Sequence, residues 1–200
     1  MFFYKVLYCI AIPILRMVYR VKITGRENIP EGAVVVCGNH TSLMDAFFVA
    51  MAFGRKEHMA YMAKIELFKV PVIGFLMRKI EAIPVDRGAA DMSALKTAIA
   101  MLKSGKKVMI FPEGTRVDGD SASEDGAKTG AAMIACRGGA DMLPIYISTK
   151  KRLFRRVNVI VGAPVKTDSF EGAGSAKYKK VIRHVFEEIL RMGKEGENNA

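Results

Sequence analysis

Two hundred residues, half of them apolar, are enough chain to bury one good core, and domain-size statistics favour a single compact domain. The formal charge of +11, from 31 Lys and Arg against 20 Asp and Glu, suits an anionic partner: nucleic acid, anionic lipid or an acidic protein. No zinc-finger spacing and no aromatic RNP-like strand supports nucleic acid, and three cysteines without a Cys-x-x-Cys spacing argue against a disulfide framework or a zinc site.

Residues 1–22 read MFFYKVLYCIAIPILRMVYRVK. The apolar run between Lys5 and Arg16 is about ten residues, against the roughly 20 that a spanning helix needs, so this segment is predicted to lie on a bilayer rather than cross it. No small-x-small cleavage site follows, and Arg16, Arg20 and Lys22 come instead, which argues against a signal peptide. Phe2, Phe3, Tyr4, Tyr8 and Tyr19, with Lys5, Arg16 and Arg20 beside them, fit an interfacial helix whose rings sit at headgroup depth. The alternative is a helix packed on the chain's own core.

From Ala33 onward, short β-branched runs alternate with helical segments, the pattern of an α/β domain. Strands are predicted over 33–37, 59–63, 82–85, 107–111, 143–147 and 157–161, and helices over 43–53, 91–103, 129–137 and 176–192. The expected fold is one α/β domain over 23–192, with a mixed, mostly parallel sheet flanked by helices. Residues 193–200 read as a disordered tail. The apolar stretch from Ile65 to Met77 is broken by Pro71 and Gly74 and bordered by Lys64, Lys69, Arg78 and Lys79. It fits a core helix, and equally a loop-helix that dips into lipid or walls an acyl-chain tunnel.

Three segments carry polar residues where a strand ends, the place where an α/β sheet puts its ligands. Gly38-Asn39-His40-Thr41-Ser42-Leu43-Met44-Asp45 follows the first strand. If Ser42 caps the next helix, Asp45 falls in its first turn and His40 can lie against it. A carboxylate accepting one imidazole N–H then leaves the other nitrogen free to take a proton from a hydroxyl. The same residues also fit a capping-box variant with His40 on a backbone carbonyl, and spacing does not choose between them. The second segment is Phe111-Pro112-Glu113-Gly114-Thr115-Arg116, where Gly114 permits close backbone approach, Thr115 offers a hydroxyl and Arg116 a planar fork suited to phosphate. A plain turn with solvated Glu and Arg is the alternative. Ile83-Pro84-Val85-Asp86-Arg87 repeats the logic of a strand followed by an acid and an arginine.

Asn39-His40 with Asp45, Val85-Asp86-Arg87, Phe111 to Arg116 and Leu143-Pro144-Ile145, in that order, resemble the four motifs of the glycerolipid acyltransferases, and most closely the lysophosphatidic acid acyltransferase family. The resemblance spans roughly 21–165. It implies that His40 is the general base, that Asp45 orients it, and that Arg87, Glu113, Gly114, Thr115 and Arg116 bind the phosphorylated acceptor. It further implies acyl transfer from an acyl carrier protein or coenzyme A thioester to a lysophospholipid, at an anionic membrane surface on the cytoplasmic face, with no cofactor, no metal and no nucleic acid. Other acceptors, such as glycerol 3-phosphate, and an inactive lipid-binding protein of the same fold are the competing readings. Glu81 stands where many relatives have glycine, and 118–126 is an insertion-like polar loop. No Gly-x-Ser-x-Gly elbow supports a serine-nucleophile lipase, so direct transfer is expected, with oxyanion donors near the Thr41 helix start or Gly114.

Overall fold

A computed structural model describes residues 2–86, 91–116 and 127–198. Seven strands form one sheet in the order β1-β7-β6-β2-β5-β3-β4: β1 (Arg20–Thr24), β2 (Val34–Gly38), β3 (Met59–Lys64), β4 (Ile83–Val85), β5 (Lys107–Ile110), β6 (Asp141–Ile147) and β7 (Arg156–Val161). The strands from β6 to β4 are mutually parallel, whereas β7 is antiparallel to β6 and carries β1 parallel to itself at the edge. The mixed, mostly parallel sheet expected from the sequence is therefore present.

The helices are α1 (Phe2–Val18), α2 (Asp45–Phe53), α3 (Pro71–Lys79), α4 (Met92–Lys103), α5 (Gly130–Gly138) and α6 (Gly174–Asn198). From β2 the chain crosses through α2 to β3, beyond β5, and then through α3 to β4. It returns through α4 to β5 and through α5 past β2 to β6. Parallel crossovers keep one hand, so reversing direction along the sheet places the returning helices on the other face. The core divides accordingly. Val34 and Val36 of β2 pack under α1 and α2, while Val35 and Cys37 pack under α4, α5 and α6. β2 has no exposed face, which is why it reads as an unbroken apolar run rather than an alternation.

Several expectations need correction. β1 went unread because its half-exposed edge pattern resembles the basic flank of the preceding helix. Since Arg20 pairs with Arg156, the sheet domain begins at 20 rather than 23. The tail expected to be disordered from 193 is helical to Asn198. A Cβ at Gly193 would lie 2.6 Å from the Tyr146 ring, and one at Gly196 would lie 2.5 Å from Ile160 Cδ1. These glycines let the helix approach the sheet closely, so they lengthen the packed helix instead of ending it.

α1 packs on the chain's own core along one face and leaves another face exposed. Tyr4 and Ile12 are buried, with Tyr8 and Leu15 partly so, and Tyr19 just beyond the helix meets Phe48 edge-on. Phe2, Val6, Ile10, Ile14 and Met17 form an exposed apolar stripe on the same helix. α3 is not a core helix, since only Gly74 is buried in it, while Val72, Ile73 and Phe75 are exposed. Phe75 meets Phe3 edge-on, with centroids 5.7 Å apart, and joins the two exposed surfaces. Among the described residues no helix is long and apolar enough to cross a membrane.

Candidate active site

β2 and β5 are neighbours whose following helices lie on opposite faces of the sheet, so their carboxyl ends flank a crevice at the topological switch point. His40 leaves the end of β2, and Phe111 to Arg116 leave the end of β5. Two of the three sequence segments singled out for chemistry thus meet where these strands end.

His40 Nδ1 lies 3.1 Å from Asp45 Oδ2, and the same oxygen accepts the Thr41 N–H at 2.8 Å and the Ser42 N–H at 2.7 Å. This is not the expected cap. Met44 occupies the N-cap position, Asp45 is the first residue of α2, and its carboxylate folds back over the turn that leads into the helix. Ser42 Oγ instead accepts the Met44 N–H locally. With Asp45 ionised, Nδ1 carries the imidazole proton and Nε2 presents its lone pair. Phe111 stacks on the imidazole at 4.1 Å between centroids and 16° between planes, which restrains the ring.

Asp45 is fully buried and has a partner that the sequence reading missed. Lys151 Nζ lies 2.9 Å from Asp45 Oδ1 and also donates to Thr41 Oγ1, with its side chain 6% exposed. Burial pushes the Asp45 carboxyl up. The hydrogen bond from His40, the Lys151 charge and the Ser42 N–H outweigh that effect and hold it below its ordinary range. In the sequence Lys151 sits within Lys150-Lys151-Arg152 and reads as a solvated charge. It reaches the site because β6 lies beside β2 and parallel to it, so the residues after β6 arrive at the His40 end.

Asn39 does structural work. Its side chain donates to Ile147 O and accepts from Ile147 N, each at 2.8 Å, tying the end of β2 to the end of β6. Glu113 is buried, and its Oε1 accepts the His40 N–H at 3.2 Å while Oε2 has no hydrogen-bond partner among the described residues. Burial pushes its carboxyl up to about 7; the His40 N–H opposes the rise and the Asp45 charge adds to it. Gly114 has a left-handed φ of 72°, and the Lys128 side chain lies over it, with Nζ 3.2 Å from where a Cβ would be. Thr115 and Arg116 are exposed. The Thr115 hydroxyl donates to Arg116 O, and Arg116 forms no ion pair with a described residue. Arg87 lies outside the described residues.

The expected oxyanion donors are engaged elsewhere. The Thr41 and Ser42 N–H groups bond Asp45, and the Gly114 N–H bonds Phe111 O at 3.0 Å. Among the described residues no group of three or more His, Cys, Asp or Glu is arranged to hold a metal.

This arrangement can hold an imidazole in one tautomer against the loop that leaves β5, on which an exposed arginine follows the buried Glu113 by three residues. The comparisons agree with that chemistry. A family model described as Acyltransferase matches residues 20–148. A 1-acyl-sn-glycerol-3-phosphate acyltransferase of Bacillus subtilis is 36% identical over 157 residues, covering 75% of this chain and 76% of that protein. The chloroplastic 1-acyl-sn-glycerol-3-phosphate acyltransferase LPAT1 of Arabidopsis thaliana is 31% identical over 137 residues, 64% of this chain and 36% of its own length. The crystal structure of the 1-acyl-sn-glycerophosphate (LPA) acyltransferase PlsC from Thermotoga maritima superposes with a TM-score of 0.74 at 28% identity, covering 97% of this chain and 78% of that one.

Proposed function

Because this chain belongs to the acyltransferase family, we propose that it transfers a fatty acyl group from an acyl thioester to the sn-2 hydroxyl of lysophosphatidic acid, giving phosphatidic acid for phospholipid synthesis. The observation that carries the reading is the His40–Asp45 contact, at the switch point beside Glu113. His40 Nε2 takes the acceptor's hydroxyl proton as the oxygen attacks the thioester carbonyl; the tetrahedral intermediate then collapses and expels the thiol, which carries the proton away. Asp45 fixes the tautomer and balances the imidazolium that forms. No acyl-enzyme is required.

Arg87 and Arg116 bind the acceptor phosphate, helped by Glu113, Gly114 and Thr115, which line the end of β5. Both carrier-protein and coenzyme A thioesters fit the chemistry, and a net charge of +11 favours electrostatic steering of an acidic carrier. The stripe on α1 and the exposed face of α3 dock on an anionic membrane surface at the cytoplasmic face, with α1 as anchor and the sheet domain above it.

The test is acyl transfer by His40→Ala, with lysophosphatidic acid and glycerol 3-phosphate as alternative acceptors and both donor types. Turnover should fall at least about a hundredfold, the lower end of a positioned base's contribution. Near-normal turnover would remove His40 from the chemistry, and a preference for glycerol 3-phosphate would change the acceptor.

A further inference from the structure

The connection from β6 to β7, residues 148–155, has no role in the preceding scheme beyond Lys151. Its base is closed by the Ser148 N–H donating to Asn158 O at 2.9 Å and the Asn158 N–H donating to Ser148 Oγ at 2.8 Å. Beyond that base the chain exposes Lys150, Arg152, Leu153, Phe154, Arg155 and Arg156, with no acidic residue among them. Leu153 is 62% exposed and Phe154 66%. Phe154 also holds a φ of 61°, a conformation that aromatic residues rarely adopt. It is fixed there because its N–H donates to Val18 O at 2.7 Å, while Arg155 O accepts the Arg20 N–H at 3.2 Å. A strained turn that presents two large apolar side chains to water, ringed by cations, has the chemistry of an element that enters the headgroup layer of an anionic bilayer.

Position supports lipid over protein as the occupant. The turn is bonded to the last residue of α1, and α1's exposed stripe ends at Met17, so exposed Leu153 and Phe154 stand beside the end of that stripe. At 1.5 Å per residue, the 17-residue helix is about 25 Å long, with α3 against its start and this turn against its end. Arg16, Arg20, Lys22 and Arg156 line a groove beside the same junction. The turn also lies at the sheet end that carries His40, because β6 runs parallel to β2. A lipid-borne acceptor has to arrive at that end.

We propose that the 150–156 turn is a lipid-contacting element, with Leu153 and Phe154 entering an anionic phospholipid surface and the surrounding Lys and Arg pairing with its headgroups. The proposal rests on the membrane-surface reading of α1 and adds a contact at the helix's far end.

The chain contains no tryptophan, so one introduced residue reports without background. Phe154→Trp and Phe2→Trp, made separately, are mixed with phosphatidylcholine vesicles with and without phosphatidylglycerol, carrying brominated acyl chains. Phe154→Trp emission should shift to the blue and be quenched, and only when phosphatidylglycerol is present. Quenching in Phe2→Trp but not in Phe154→Trp overturns the proposal and leaves the α1 reading standing; quenching in neither overturns both. A shift on adding acyl carrier protein without vesicles overturns lipid as the occupant in favour of a protein. The Leu153→Ser/Phe154→Ser double variant should partition onto phosphatidylglycerol vesicles at least about tenfold more weakly, while transferring acyl groups normally to detergent-dispersed acceptor. Unchanged partitioning overturns the proposal.

Discussion

Glu113→Gln should make the protein more stable above neutral pH and less able to bind its acceptor. Glu113 is 5% exposed, and one of its carboxylate oxygens has no partner among the described residues. Burial raises its pKa from 4.5 to about 7. At about 1.36 kcal/mol per pH unit, this corresponds to roughly 3 kcal/mol against the ionised, folded state. The sign follows from linkage. The folded acid holds its proton more tightly than the unfolded one, so the fold is unpenalised below 4.5, loses stability as pH climbs to about 7, and carries the full cost above that. Gln has nearly the same shape, keeps an oxygen for the His40 N–H and never ionises. Its advantage should be small at about pH 5 and reach up to about 3 kcal/mol at about pH 8.5, which for a chain of this size raises Tm by roughly 6–12 °C. Melting curves of both proteins at the two pH values measure it. A stability gap that does not grow with pH would refute the reasoning, because Glu113 would then titrate as an ordinary surface carboxylate.

Lys151→Met breaks a buried ion pair and leaves Asp45 to His40 and two backbone N–H groups, so it should cost about 3 kcal/mol, the lower end for such a loss, and reduce turnover. The lowered Asp45 pKa contributes stability above the ordinary carboxylate range that is lost as pH falls through the folded value, so acid unfolding of this variant should begin at higher pH. Thermal and acid melts beside steady-state kinetics check both. Arg116→Ala should raise the acceptor KM by about ten- to a hundredfold, the loss of a hydrogen bond to a charged group, and leave the donor KM and Tm unchanged, because Arg116 is exposed and forms no ion pair with a described residue. Arg116→Lys should fall between the two, since an ammonium restores charge but not the two-pronged geometry; varying each substrate in turn, beside a melt, decides.

The parts of the fold legible in the sequence are those whose burial is local. The runs 34–38 and 108–110 sit in the middle of the sheet and read as continuous apolar strands. The amphipathic run 91–103 read as the helix that becomes α4, and the structure adds that the Asp91 carboxylate caps it by accepting the Ser93 and Ala94 N–H groups. What escaped depends on who sits beside whom. β1 has the composition of an exposed edge and is defined only by pairing with a strand more than a hundred residues away. Gly193 and Gly196 look like the end of a helix until Tyr146 and Ile160 are set against them. Of the candidate site, Asn39, His40, Glu113 and Arg116 stood out because they follow the ends of apolar strands, and Asp45 because it opens a helix. Lys151 did not, since strand order is written nowhere in its neighbourhood.

The way Asp45 is held bears on which changes the turn at its back tolerates. His40 contributes a side chain to that carboxylate, but Thr41 and Ser42 contribute only main-chain N–H groups, and Leu43 is exposed. Main-chain donors do not depend on residue identity, so toward Asp45 Oδ2 the four positions between His40 and Asp45 act as a measured length of chain, although the Thr41 hydroxyl also accepts from Lys151 and Ser42 Oγ from the Met44 N–H. Substitutions there should be absorbed far more readily than an insertion or deletion of a single residue, which would rotate Asp45 by about 100° around the start of α2 and part its Oδ2 from His40, Thr41 and Ser42 at once.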